Sequence, residues 1–219
     1  MVQDLFRKFQ AMPSVGGGAS ARPSPGTRIP RHSTGLGEFT RLLGGQGELR
    51  ILDLGPTSPT NIARLTGLGH KVYNEDVLLA STSPAYAART EEGKPTIAVE
   101  RFLAENLLYT TTLFDGVLCW DVPDYLPEAL VRPAIERLCR VIKTGGVLLA
   151  FFHTRDAGPD APYYRYHIVG DDSLELQQGP RFGLQRVFNN RHIEQLFRDF
   201  SSIKFFLARD NVREVLVVK

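Results

Sequence analysis

From residue 50 onward, short apolar runs alternate with amphipathic segments, and glycines mark the exchanges. RILDLG (50–55) reads as a buried strand ending in a glycine turn, and TNIARLTGLG (60–69) as a helix with Ile62 and Leu65 inward. HKVYNED (70–76) is a second strand, IAVERFLAEN (97–106) contains a third, and FDGVLCWDV (114–122) is the fourth. EALVRPAIERLCRVI (128–142) spaces Leu130, Ile135, Leu138 and Ile142 at helical intervals, with Pro133 marking a kink or a late start. KTGG stops that helix, and VLLAFFHT (147–154) is the fifth strand. NNRHIEQLFRDF (189–200) is a further helix, with Ile193, Leu196 and Phe197 on one face. SSIKFFLARDNVREVLVVK (201–219) forms two strands around a polar turn at Asp210–Asn211, an antiparallel hairpin. Apolar strands interleaved with amphipathic helices predict an α/β fold. We expect a Rossmann-like, mostly parallel, seven-stranded sheet with helices on both faces and a C-terminal antiparallel hairpin. Ligands of such sheets bind beyond the carboxyl ends of the strands.

Two segments stand outside this alternation. Pro13 to Gly37 is mostly Pro, Gly, Ser, Thr and Arg, with little apolar surface to offset ordering entropy. Residues 1–37 are therefore expected to be a flexible tail, with the folded domain spanning 38–219 and opening on a helix at EFTRLLGG (38–45). Residues 155–187 read as an insertion containing three tyrosines and a short strand pair.

Charge and cysteine usage narrow the function classes. The formal net charge is +2, but residues 1–37 carry five basic residues against one acid, leaving −2 on the remainder. A folded part with that balance lacks the electrostatic footprint of a nucleic-acid binder, so nucleic acid is not expected as a partner. The longest uninterrupted apolar run is Val147 to Phe152, too short to cross a bilayer. MVQDLFRKFQ at the start has no apolar run of signal-peptide length. Cys119 and Cys139 form no disulfide framework and no metal-ligand spacing, which points to a reducing, cytoplasmic setting and to no metal site.

The motifs RILDLG, HKVYNED, FLAENLLYTTTLFDGVLCWDVPDYLP (102–127) and RLCRVIKTGGVLLAFFHT (137–154), in that order, resemble the class I S-adenosylmethionine-dependent methyltransferases of the small-molecule type. The resemblance covers about residues 38–219 apart from the insertion. It implies a last strand inserted antiparallel between the fifth and sixth, S-adenosylmethionine as cofactor, and a small-molecule acceptor. A strand running through a glycine loop into a helix lets backbone N–H groups approach a ligand's anionic end. By the resemblance, Asp53, Gly55, Pro56 and Thr57 form that loop, and Gly55 matches the family's first glycine. Thr57 and Pro59 stand where the second and third glycines usually are, while Ser58 with Pro59 makes a favourable N-cap and N1 pair. Asp76 takes the ribose-binding acid's place, since a carboxylate accepts both ribose hydroxyls. Leu103 replaces the acid that holds adenine, leaving the Ala104 backbone N–H to contact the ring. Trp120, beside Cys119 and Asp121, borders the methionine end.

For a methyl acceptor that must lose a proton, a general base is needed. The candidates are Asp121, Asp124, Tyr163, Tyr164, Tyr166, His167 and, first, His153 at the end of the fifth strand. Two functions follow: methyl transfer to a small molecule, and, on the strength of Thr57, Pro59 and Leu103, a methyltransferase-like pseudoenzyme acting as a binding or scaffold protein. The insertion is expected to cap the cofactor crevice.

Overall fold

The computed structural model describes residues 26–155, 163–179, 182–207 and 210–219. In chain order it runs β1 (Arg28–His32), α1 (Thr34–Leu43), β2 (Arg50–Asp53), α2 (Pro59–Gly67), β3 (Lys71–Asn74) and α3 (Val77–Ser81). A 3-10 turn at Pro84–Tyr86 leads to β4 (Ala87–Arg89), β5 (Pro95–Ile97), α4 (Val99–Glu105) and β6 (Phe114–Trp120). The chain continues through α5 (Val122–Tyr125), α6 (Glu128–Val141), β7 (Ile142–His153), β8 (Tyr164–Ile168) and β9 (Ser173–Gln178). It closes with α7 (Asn190–Leu196), β10 (Ser202–Leu207) and β11 (Val212–Val218).

The central sheet has the order β10-β11-β7-β6-β2-β3. β7, β6, β2 and β3 are mutually parallel, and β11 lies antiparallel between β7 and β10. Alternate residues of the central strands feed two cores. Val117, Cys119, Leu148, Ala150 and Phe152 face α3 to α7, while Leu118, Trp120, Leu149 and Phe151 face α1, α2 and the insertion. Helices thus cover both faces, as the near-continuous apolar strands require. No helix among the described residues is long and apolar enough to cross a membrane.

The sheet has six strands rather than the expected seven. IAVERFLAEN does not supply a third parallel strand: its first residue ends the β4–β5 hairpin and its remainder is α4. Phe102 and Leu103 point into the core from that helix, whereas Ala104 is exposed. With Val99 they sit at helical spacing, and burying them against α6 satisfies the run as a helix.

The boundary expected at Glu38 also moves. β1 pairs antiparallel with β9, and α1 begins at Thr34, capped by the Ser33 hydroxyl, which accepts from the Leu36 N–H. Residues 28–37 therefore belong to the folded domain; residues 1–25 of the expected tail lie outside the described residues. Arg31 anchors this corner. Its side chain is only 6% exposed, with Nε donating to Asp210 at 2.5 Å and Nη1 2.7 Å from Glu214 Oε1. The guanidinium lies 4.8 Å from the centroid of the Phe151 ring. Glu214 Oε2 accepts the Gly35 N–H at 2.5 Å, and a Cβ on residue 35 would sit 2.8 Å from that oxygen, so a larger residue there would push the Glu214 carboxylate aside.

The insertion supplies β8 and β9, which with β1 form the three-stranded antiparallel sheet β1-β9-β8; residues 156–162 and 180–181 lie outside the described set. β8 lies against α2 across the carboxyl ends of β2 and β6, which brings the tyrosine-rich stretch to the expected binding edge.

Candidate active site at the carboxyl edge of the sheet

Asp53 ends β2 and is 2% exposed. Its Oδ1 accepts from Trp120 Nε1 at 2.7 Å, and its Oδ2 accepts from Asn61 Nδ2 at 2.8 Å. Burial raises the pKa of Asp53, and the donors on Asn61, Trp120 and Gly55 pull it back down. Trp120, the last residue of β6, has a positive φ of 50°, a conformation rare outside glycine. That turn lays the indole over the loop after β2. A Cβ on Gly55 would meet Trp120 Cδ1 at 3.0 Å, so the bare face of this glycine receives the protein's own ring. The indole stacks on Tyr166 of β8, with centroids 4.8 Å apart and planes 6° from parallel.

The rest of the loop is held from β3 and β8. Pro56 is buried. Thr57 is exposed and donates through Oγ1 to Asn74 Oδ1, while Asn74 Nδ2 donates to the carbonyls of Asp53 and Gly55. Ser58 is the N-cap of α2 with Pro59 at N1, the helix start anticipated from the sequence. Its hydroxyl accepts from Asn61 N–H and pairs with His167 Nδ1 at 2.8 Å. Asn61 then reaches across to β8, donating to Tyr166 O and accepting the Ile168 N–H. Asn61 and Asn74, which the sequence does not single out, thus fix the loop from two sides.

Asp76 is the N-cap of α3, accepting the Leu79 N–H at 3.0 Å. Burial raises its pKa; the bond from Leu79 and the charge of Arg165 act the other way. The neighbouring Glu75 accepts the Leu107 N–H at 2.6 Å. Ala104 stands apart, beyond the first turn of α4, where its N–H belongs to the helix's own ladder. Of the sequence-derived cofactor residues, Asp53, Gly55 and Trp120 meet, Thr57 joins them through Asn74, and Ala104 does not.

A second group lies between α5 and β7. Asp124 is fully buried, and its Oδ2 accepts both the backbone N–H of His153 at 2.6 Å and the ring Nδ1–H at 2.8 Å. The ring's Nε2 has no hydrogen-bond partner among the described residues, and His153 lines a cavity of about 350 Å3 together with Arg31, Arg155, Tyr164, Tyr166 and Asp210. Asp121 Oδ2 accepts the Tyr166 hydroxyl at 3.0 Å, whereas Asp121 Oδ1 and Asp124 Oδ1 are buried without partners. Burial pushes Asp121 up to about 7, against the charge of His153. Burial also raises Asp124, opposed by its bonds to His153. For His153, burial favours the neutral ring, but the bond to Asp124 and the charges of Asp121, Asp124 and Asp210 outweigh it and raise the pKa. Perturbed acids clustered with a histidine at the carboxyl edge of an α/β sheet are the arrangement in which a functional site is sought.

No family model matches this chain, and neither does any curated protein. Solved structures align with much of this chain at low identity. The 1,6-didemethyltoxoflavin-N1-methyltransferase of Burkholderia thailandensis, with bound 1,6-didemethyltoxoflavin and S-adenosylhomocysteine, is 13% identical over 85% of this chain and 79% of that one, with a TM-score of 0.45. An S-adenosylmethionine-dependent methyltransferase of Mesorhizobium loti is 12% identical over 83% and 96%, with a TM-score of 0.44. The N-methyltransferase NodS of Bradyrhizobium japonicum is 16% identical over 84% and 93%, also at 0.44. The chain itself is an α/β protein with a mostly parallel central sheet and one strand inserted antiparallel near its C-terminal edge.

Proposed function

We propose that this protein transfers a methyl group from S-adenosylmethionine to a small molecule, with His153 as the general base on the acceptor side. The observation that carries this reading is the Asp124–His153 pair, set at the carboxyl edge of this strand order and opening on a cavity of small-molecule size.

The residues of the crevice suit the cationic end of the cofactor. The Tyr163 hydroxyl and Asp121 Oδ1 are buried without partners, and Tyr163 lies within electrostatic reach of Asp121, Asp76 and Asp53. Unpaired acceptors amid excess negative charge match a ligand bearing a sulfonium and an ammonium group. Asp76, Asp121 and Tyr163 would hold it, while Asp53, Gly55 and Trp120 shape the loop beside it. When bound, the cofactor supplies a methyl group already activated by positively charged sulfur. The adenine contact at Ala104 that the resemblance implies has no counterpart, because α4 replaces the strand that would carry it.

The chain's own residues supply position and a proton acceptor. Asp124 fixes the imidazole with Nδ1–H inward, so Nε2 takes the acceptor's proton. His153 must be neutral for this, and its pKa is raised above the ordinary imidazole value of 6.5. The rate is therefore expected to rise with pH through a midpoint above 6.5, and Asp124→Asn, which removes a raising influence, is expected to lower that midpoint. Incubation with methyl-labelled S-adenosylmethionine and a small-molecule extract, read by mass spectrometry, tests the reaction. We expect a labelled product from the unaltered protein and about 100-fold less of it from His153→Ala. Equal product from that variant would remove His153 from the mechanism, and no product from the unaltered protein would remove methyl transfer.

A further inference from the structure

The cavity beside His153 is lined by β1, β8 and β9, which the methyltransferase resemblance does not include, together with the end of β7 and the turn before β11. Its charges are unevenly matched. Asp210 is engaged by Arg31 Nε, and His153 is backed by Asp124. Arg155 is exposed at the cavity wall and forms no ion pair among the described residues. Arg31 also lines the cavity, with its side chain 94% buried; it is paired with both Asp210 and Glu214 and keeps one buried donor, Nη2, that finds no partner among the described residues. A buried guanidinium donor left unpaired is costly unless an acceptor arrives. Two guanidinium groups with donors to spare, flanking one cavity, form a site for a carboxylate.

We propose that this cavity binds a small carboxylate-bearing hydroxy compound, its carboxylate held by Arg155 and Arg31 and its hydroxyl at His153 Nε2. The inference deepens the methyl-transfer reading and rests on it for the role of His153. Tyr164 and Tyr166 supply aromatic walls, and the apolar side chains of Ile29, Leu176 and Val212 complete a lining suited to a ring of benzene size. With the cofactor bound, the hydroxyl proton would pass to Nε2, the oxygen's electron pair would form the new O–CH3 bond, and the S–CH3 bond would break with its electron pair left on the sulfur of S-adenosylhomocysteine.

Calorimetric titration of the full chain with 4-hydroxybenzoate, and separately with its neutral analogue 4-hydroxybenzamide, tests this without any turnover. We expect 4-hydroxybenzoate to bind, and its affinity to fall at least ten-fold both in Arg155→Gln and on exchange for the amide. Arg155 is exposed, so that variant is expected to melt at the same temperature as the parent. Equal affinity for acid and amide, unchanged affinity in Arg155→Gln, or no heat from the acid at millimolar concentration would overturn the proposal. S-adenosylhomocysteine titrated into the same preparations separates the two readings. Arg155-dependent binding of the acid without binding of the cofactor product supports the carboxylate site while removing methyl transfer; the reverse result overturns the carboxylate site alone.

Discussion

Replacing Trp120 by alanine is expected to cost about 4 kcal/mol of folding stability, lowering the melting temperature by roughly 12 °C for a domain of this size. The indole is 2% exposed, stacks on Tyr166 and packs against Phe151. It also donates one of the bonds that satisfy the buried Asp53 carboxylate. Trp120→Phe separates these contributions, since it keeps much of the ring and removes the N–H. A loss of about 1–3 kcal/mol is expected, the cost of leaving a buried acceptor short of a donor. Urea and thermal melts of both variants check this. If Trp120→Phe melts with the parent, the bond to Asp53 contributes nothing, and the indole is free to serve a ligand.

Glu214→Ala is expected to cost about 3–5 kcal/mol, because it strands the buried Arg31 guanidinium and the Gly35 N–H together. Asp210 is the other acid on Arg31 and is more exposed, so it compensates only in part. The loss has a location. Hydrogen exchange of residues 28–37 is expected to quicken more than that of β6 or β7, because Glu214 joins β11 to β1 and α1. Uniform quickening across the sheet would contradict the idea that this ion cluster pins the N-terminal corner.

These two variants also mark what can be read along the chain and what cannot. The alternation from RILDLG to VLLAFFHT is local, so β2, α2, β3, β6, α6 and β7 fall near the segments read for them. RIPRH sits in a stretch whose composition resembles a linker. It becomes β1 only through pairing with β9, roughly 140 residues away, and by burying Arg31 against Glu214. No local pattern carries that information. IAVERFLAEN fails for a different reason: a short apolar run satisfies strand and helix alike, and packing against α6 decides it. In the site, Asp53, Gly55, Asp121, Asp124 and His153 are visible as residue types at strand ends. That Gly55 is filled by Trp120, that Asn61 and Asn74 hold the loop, and that Asp124 backs His153 depend on approaches between distant segments.

The central claim is that this crevice accepts S-adenosylmethionine. Calorimetric titration of the full chain with S-adenosylhomocysteine tests it most directly, using Asp76→Asn as the comparison because asparagine keeps the N-cap of α3 and removes the charge. The account predicts micromolar binding that weakens at least ten-fold in the variant. No heat and no thermal shift up to millimolar ligand would contradict it.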